Sequence, residues 1–341
     1  MRLCILALAA LVAPAFAQEA PKAPLTPELT PEQKLAQYRH DQINLLALKP
    51  DAESVLAAAI IADSDPDEKN RPAALHSRAL LKRAQTIGAE DVLVWWVTAS
   101  AECHAEPKTC PQTETLAKLE HLDAENAAMW SLALWHAQQA GDAPGARAAL
   151  ASAAQAKHYD DHFGAIVAAL YDAQGVLPMS DDLLNATGQN ASVDGYRLIS
   201  AAGLAAVLSL PGYRAIADAC KAGEPADQLA DCAAVAKKMA ASGSLNSERA
   251  GIKLREALLP PGPELDAARA RERSLAWQTL RISELAGRLA TEGRLTRAYT
   301  QALAETHDES QAVYAVLRSQ GIALEPPADW EMPDSALKNG P

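Results

Sequence analysis

The chain has 341 residues, 49% of them hydrophobic but only 4% aromatic, and carries a formal net charge of −12. That charge argues against nucleic acid or anionic lipid as the main partner, because both select a positive surface. Strand-forming runs of Val, Ile, Thr and Tyr are almost absent, whereas alanine recurs in runs such as Ala57-Ala58-Ala59, so the composition predicts an all-α fold of closely approaching helices.

Residues 1–17, MRLCILALAALVAPAFA, read as an export signal: Arg2 gives the positive start, Cys4 to Val12 the short apolar run, and Ala15-Phe16-Ala17 the small-x-small cleavage pattern before Gln18. Cys4 lies far ahead of the cleavage point, unlike the cysteine of a lipoprotein signal. The expected location is therefore periplasmic or secreted, and no later apolar segment reaches the length of a membrane span. Residues 18–31 hold four prolines and read as a linker.

A helical-repeat-like domain is expected over 32–259. Its first helix covers 32–48 and ends at Pro50; a second runs from Asp51 to Ala62, and a polar loop fills 63–72. Pro72 is placed to open the third helix and Gly88 to close it. A fourth begins near Glu90 and puts Trp96 and Cys103 on one face. Four more helical segments are expected over 112–174, with breaks near 123–126, 141–144 and 159–161. Shorter helices then run to 259, interrupted at Pro211-Gly212, at Gly223 to Pro225 and at Gly243. Leu259-Pro260-Pro261-Gly262-Pro263 is the strongest internal punctuation and separates a C-terminal helical segment, 264–324. There, 264–291 reads as the longest helix, with Leu275, Ile282, Leu285 and Leu289 on a buried stripe and Glu284 pairing with Arg288. Two short helices follow at 294–305 and 308–319, and 325–341 reads as a flexible tail.

Residues 119–154, LEHLDAENAAMWSLALWHAQQAGDAPGARAALASAA, carry more than a helical rhythm. LDAEN forms an acidic entry turn, Leu132-Ala133 a large-then-small pair, Gly141-Asp142 an interhelical turn, and Ala146, Leu150 and Ala153 a small-large-small series. This segment resembles a tetratricopeptide-type unit. The resemblance implies stacked helical hairpins, a TPR-like α-solenoid, because a lone hairpin cannot bury both of its apolar stripes. An irregular α-helical bundle is the alternative.

After signal removal four cysteines remain. Cys103 and Cys110 would stand about 10 Å apart on a continuous helix, too far to bridge, so a disulfide requires the chain to turn near Pro107. Cys220 and Cys232 flank a predicted break at Gly223 to Pro225. Of three possible connectivities the local one, 103–110 and 220–232, is expected, since each pair brackets its own turn. No Cys-x-x-Cys occurs, which argues against a redox pair or a zinc site.

His158-Tyr159-Asp160-Asp161-His162 is the best metal candidate: two histidines four apart would share a helix face, with Asp161 or Asp160 adding an oxygen. The competing reading makes Asp160 or Asp161 a helix N-cap and His158 a helix-end residue. Arg269, Arg271 and Arg273 form either a solvated face or an anion-receiving cluster, and Trp95, Trp96, Trp130 and Trp135 either core anchors or a groove lining. No nucleophile elbow, phosphate loop or dinucleotide fingerprint occurs, and no cofactor is expected. The expected function is an exported, non-catalytic helical-repeat protein that binds a protein or peptide. The alternatives are an exported α-helical enzyme acting on cell-envelope material, and a metal- or small-molecule-sequestering protein.

Overall fold

A computed structural model describes residues 29–106, 110–208, 212–221 and 223–333. The residues read as an export signal and most of those read as a proline-rich linker lie outside the described residues. Seventeen α-helices and no β-strand occur among the described residues. They are α1 (Pro31–Ala47), α2 (Ala52–Asp63), α3 (Ser77–Ile87), α4 (Val92–Ala105), α5 (Thr113–Asp123), α6 (Ala127–Ala140), α7 (Ala143–Gln155), α8 (Phe163–Ala173) and α9 (Asp181–Ala186). They continue with α10 (Val193–Val207), α11 (Gly212–Ala219), α12 (Ala226–Met239), α13 (Leu245–Leu258), α14 (Pro263–Glu284), α15 (Ala286–Thr291), α16 (Gly293–Thr306) and α17 (Glu309–Ser319). No single helix among the described residues is long and apolar enough to cross a membrane.

Local sequence explains where these helices start and stop. Thr30 and Gln33 form a reciprocal capping box on α1. The Asp51 carboxylate accepts the Ser54 amide at 2.7 Å and starts α2. In α2 every residue from Val55 to Ala62 is buried, as expected of a helix that is apolar on all sides. It packs against α1, α3, α4 and α8. Pro72 opens a short 3₁₀ turn, Ala73–Leu75, rather than α3 itself, which begins after His76. Gly88 closes α3 as expected.

The first seven helices pack in chain order, each on its neighbour. The segment read as repeat-like, 119–154, supplies α6 and most of α7, joined through Gly141 in the left-handed conformation (φ 69°) and Asp142, which accepts the Gly145 amide at 3.0 Å. Leu132, Ala133, Leu150 and Ala153 are all buried between this hairpin and its neighbours. The later helices fold back on the earlier ones: α8 on α2, α11 on α6, and α12 on α7. A fully buried leucine or isoleucine such as Leu132 or Ile216 contributes about 1.5–3 kcal/mol of transfer free energy.

One internal echo was not anticipated. Ala89-Glu90-Asp91 precedes α4 and Ala124-Glu125-Asn126 precedes α6, 35 residues apart. Asp91 and Asn126 cap the two helices, accepting the amides of Leu93 at 2.9 Å and Ala128 at 3.0 Å. Four residues beyond each cap stands a tryptophan whose indole reaches back over the first turn. Trp95 Nε1 donates to the Ala89 carbonyl at 3.0 Å, and Trp130 Nε1 to the Ala124 carbonyl at 2.8 Å.

The C-terminal part departs from expectation in four ways. The long helix is interrupted at Leu285, which separates α14 from α15. Because of that break Glu284 pairs with Arg281 (2.8 Å) and Arg288 with Glu292 (2.6 Å), not with each other. The arginine cluster is used internally: Arg271 meets the buried Glu248 and donates to the Tyr314 hydroxyl at 2.7 Å, and Arg273 donates to the Pro327 carbonyl at 2.7 Å. The segment read as a flexible tail is held along α14 as far as Trp330, which packs edge-on against Trp277 with centroids 5.5 Å apart; 334–341 lies outside the described residues. Leu303 and Ala312, from α16 and α17, belong to the same core as α2 and α8, so burial continues across the punctuation at 259–263.

Both cysteine pairs lie at bonding distance. Cys103 and Cys110 have sulfurs 2.11 Å apart and Cα atoms 4.7 Å apart; for Cys220 and Cys232 the distances are 2.02 and 5.6 Å. The first pair joins the end of α4 to the approach to α5, and the second links α11 to α12.

Candidate functional site

The link between α7 and α8, residues 156–162, is held by hydrogen bonds to Asn126 and its neighbours. This asparagine is fully buried. Its Oδ1 accepts the amides of Ala128 (3.0 Å) and Asp160 (2.9 Å), and its Nδ2 donates to Asp123 Oδ2 and to the Asp160 carbonyl, both at 2.7 Å. The Ala127 amide donates to the His158 carbonyl at 2.8 Å, and the Lys157 amide to the Glu125 carbonyl at 2.8 Å. The α6 cap therefore also pins the following loop. The echo of Asp91 in Asn126 explains the residue type: an amide side chain adds the donors that a carboxylate lacks.

This geometry corrects the metal reading. Residues 156–162 are not helical, so the four-residue spacing does not bring His158 and His162 to one helix face. His162 occupies the N-cap position of α8 in the left-handed conformation, φ 56°, without a side-chain cap hydrogen bond; the first amide of the helix, Phe163, is accepted by Asp161, as expected of a capping aspartate. Its Nε2 lies 3.1 Å from Asp123 Oδ2 and its Nδ1 3.6 Å from Asp160 Oδ2. Burial lowers the imidazole pKa, but the Asp123 hydrogen bond and the charges of Asp160, Asp123 and Asp161 outweigh it and raise the group above its ordinary value. Trp96 packs edge-on against the ring at 4.9 Å. Among the described residues no group of three or more His, Cys, Asp or Glu side chains is arranged to hold a metal ion.

Asp161 is instead a structural hub. Its Oδ2 accepts the hydroxyls of Tyr213 from α11 and Ser247 from α13, each at 2.5 Å, and its Oδ1 accepts the Phe163 amide at 3.2 Å. One carboxylate thereby ties α11 and α13 to the start of α8. Burial first, then the nearby Tyr159 and Asp161, push the Tyr213 phenol far above its ordinary range, so it remains a donor. Beside this hub Glu309 Oε2 accepts the Leu245 amide at the start of α13 at 3.0 Å. Burial raises the Glu309 carboxyl to about 7.

His162 also borders a groove of about 760 Å³ between α8 and α16. It is lined by the acids Glu53, Asp91 and Asp172, by Arg297 and His307, and by apolar residues such as Leu93, Ala168 and Leu303. Burial, then Asp172, Asp51 and Asp91, raise the Glu53 carboxyl. Only two non-glycine residues among those described have positive φ, His162 and His307 (φ 54°), and both border this groove. α8 and the α16–α17 turn meet at Gly164, where a Cβ would collide with the His307 carbonyl.

Of the residues singled out from sequence, Asp161 and His162 come together in this region. His158 lies away from the groove, in a neighbouring lysine-bearing pocket with Lys157, Lys237 and Lys238. Trp96 is buried, whereas Trp95 and Trp130 clamp helix starts. Asp123, Asn126, Tyr213, Ser247 and Glu309 were missed; the Glu-Asn-x₃-Trp echo of Glu-Asp-x₃-Trp was the one local signal for Asn126. Comparison with protein-family models, with curated proteins and with solved structures returned no match to this chain.

Proposed function

We propose that this chain is an exported, non-catalytic helical-repeat protein that binds a protein or peptide partner in the α8–α16 groove. The two left-handed histidines on one groove carry the reading, because backbone strain in non-glycine residues concentrates where a surface must be held in a set shape. The chemistry of the groove favours an extended segment whose lysine or arginine side chains meet Glu53, Asp91 and Asp172 while its apolar side chains cover Leu93 and Leu303. The repeat reading draws on the chain-order packing of α1 to α7 and on the 35-residue echo before α4 and α6. Export draws on the leader-like residues 1–17 and on two cysteine pairs suited to an oxidising compartment.

One observation bears on the enzymatic alternative. The His162–Asp123 pair is a buried histidine–carboxylate contact beside a groove. Both ring nitrogens face carboxylates, so neither is turned toward a nucleophile. A photo-reactive residue at Gln301, exposed on the groove, tests the binding reading in the native envelope. A partner crosslinked from Gln301 but not from Gln139, exposed on α6, supports it. No crosslink, with turnover of envelope polymers by the purified protein, overturns it.

A further inference from the structure

A second, smaller cavity lies beside the Asp161 carboxylate. It measures about 140 Å³ and is bordered by Trp96, Tyr159, Phe163, Tyr213 and Ile166, with Asp161 as its one charged residue. Four aromatic residues converge here in a chain that is only 4% aromatic. They come from separate elements: Trp96 from α4, Tyr159 from the α7–α8 link, Phe163 from α8 and Tyr213 from α11. Tyr159 and Tyr213 lie nearly parallel, at 22°, with ring centroids 6.4 Å apart. The hydrogen-bond partners of Asp161 are two hydroxyls and one amide. They fix the carboxylate but carry no charge of their own; the charged groups beside it are Asp160, of the same sign, and the His162 imidazole on the groove side.

We propose that this cavity binds a small alkylammonium cation of the choline or tetramethylammonium type. Aromatic rings around a desolvated site attract a cation through their quadrupoles, most effectively when the cation carries its charge on methyl groups and needs no hydrogen bonds. A hydrated metal ion would require several oxygen ligands, and this wall offers one carboxylate. A neutral hydrocarbon would leave the Asp161 charge facing an apolar guest. The size agrees, since a cavity of roughly 150 Å³ admits benzene and tetramethylammonium is of about that bulk. The inference is independent of the peptide groove, which lies across the Trp96–His162 contact and shares none of these aromatic residues.

The test is calorimetric titration of the full chain with choline and with 3,3-dimethylbutan-1-ol, its uncharged isostere, at one ionic strength. Choline is expected to bind one to one and the isostere at least tenfold more weakly. Asp161→Asn is expected to lower choline affinity at least tenfold, and Phe163→Leu, which keeps apolar bulk but removes a ring, several-fold. If Asp161→Asn does not fold, Phe163→Leu with an unchanged circular-dichroism spectrum carries the same decision. Equal binding of the alcohol and choline, unchanged affinity in folded Phe163→Leu, or no heat with either ligand overturns the proposal.

Discussion

His162 and His307 face the same groove from two chain segments far apart in sequence, both in the left-handed backbone conformation, φ 56° and 54°. Each ends or begins a helix: His162 occupies the N-cap position of α8, and His307 closes α16. Between them Gly164 brings α8 against the His307 carbonyl. Histidine tolerates this conformation better than β-branched residues do, but glycine would adopt it at less cost. The side chain therefore sits against a backbone penalty, which for His162 the Asp123 and Asp160 contacts offset.

Gly164→Ala is expected to destabilise the protein by more than about 2 kcal/mol, because the added methyl meets backbone rather than a movable side chain. Urea unfolding measures this. Gly203→Ala, where a Cβ meets nothing within 4 Å, serves as the control and is expected to be neutral or slightly stabilising.

Removing the Tyr213 hydroxyl leaves Asp161 with one fewer donor. Tyr213→Phe is expected to cost about 1.5–3 kcal/mol, the range for a hydrogen bond to a charged group. Ser247→Ala should cost a similar amount. The double variant should fall short of the sum, since both hydroxyls serve the same oxygen. A double-mutant cycle by denaturant titration reads this coupling.

Two buried groups make stability depend on pH in the same direction. Glu309 has a folded pKa of about 7 against 4.5 unfolded, so the native state holds a proton that the unfolded state releases, and stability falls as pH rises from about 4.5 to about 7. His162 is raised above 6.5, so its contribution is complete below 6.5 and is lost as pH rises through the folded value. Unfolding free energy should therefore decline between pH 5 and pH 8. Glu309→Gln should flatten the lower part of that decline and raise stability at pH 8, by up to about 3 kcal/mol. His162→Gln should remove the upper part. Urea midpoints across pH decide between this pattern and a flat profile.

Reduction should open both local loops. For Cys220 and Cys232, separated by 12 residues, the chain-entropy model gives about 2.5–3 kcal/mol. Cys220→Ser/Cys232→Ser should lower the unfolding free energy by that amount, and reductant should not lower it much further than the remaining pair, seven residues apart, accounts for.

Helix positions were legible because alanine content, proline breaks and capping residues act over a few residues. Asp51, Gly88 and Gly141 mark their helix ends in sequence and in structure alike. The cysteine pairing was legible for the same reason, since each pair brackets its own turn. The site was less so. Asp161 and His162 stand out as a polar cluster, but their partners Asp123, Tyr213 and Ser247 arrive by tertiary packing, which no local spacing encodes. The expected shared helix face of His158 and His162 failed because Asn126 draws residues 156–162 into an extended path. Arg271 and Arg273 looked solvated because Glu248 and the carbonyls near Trp330 lie 23 and 57 residues away.

The proposed peptide groove is tested most directly by titrating two fluorescent peptides of equal length, one alternating lysine and leucine and the other glutamate and leucine, into the full chain. The lysine peptide should bind at least tenfold more tightly, lose affinity as salt is raised, and lose it again in Glu53→Gln/Asp172→Asn with the fold unchanged. Equal binding of both peptides, or undiminished binding of the lysine peptide to the folded double variant, would contradict a groove that selects a basic, apolar segment.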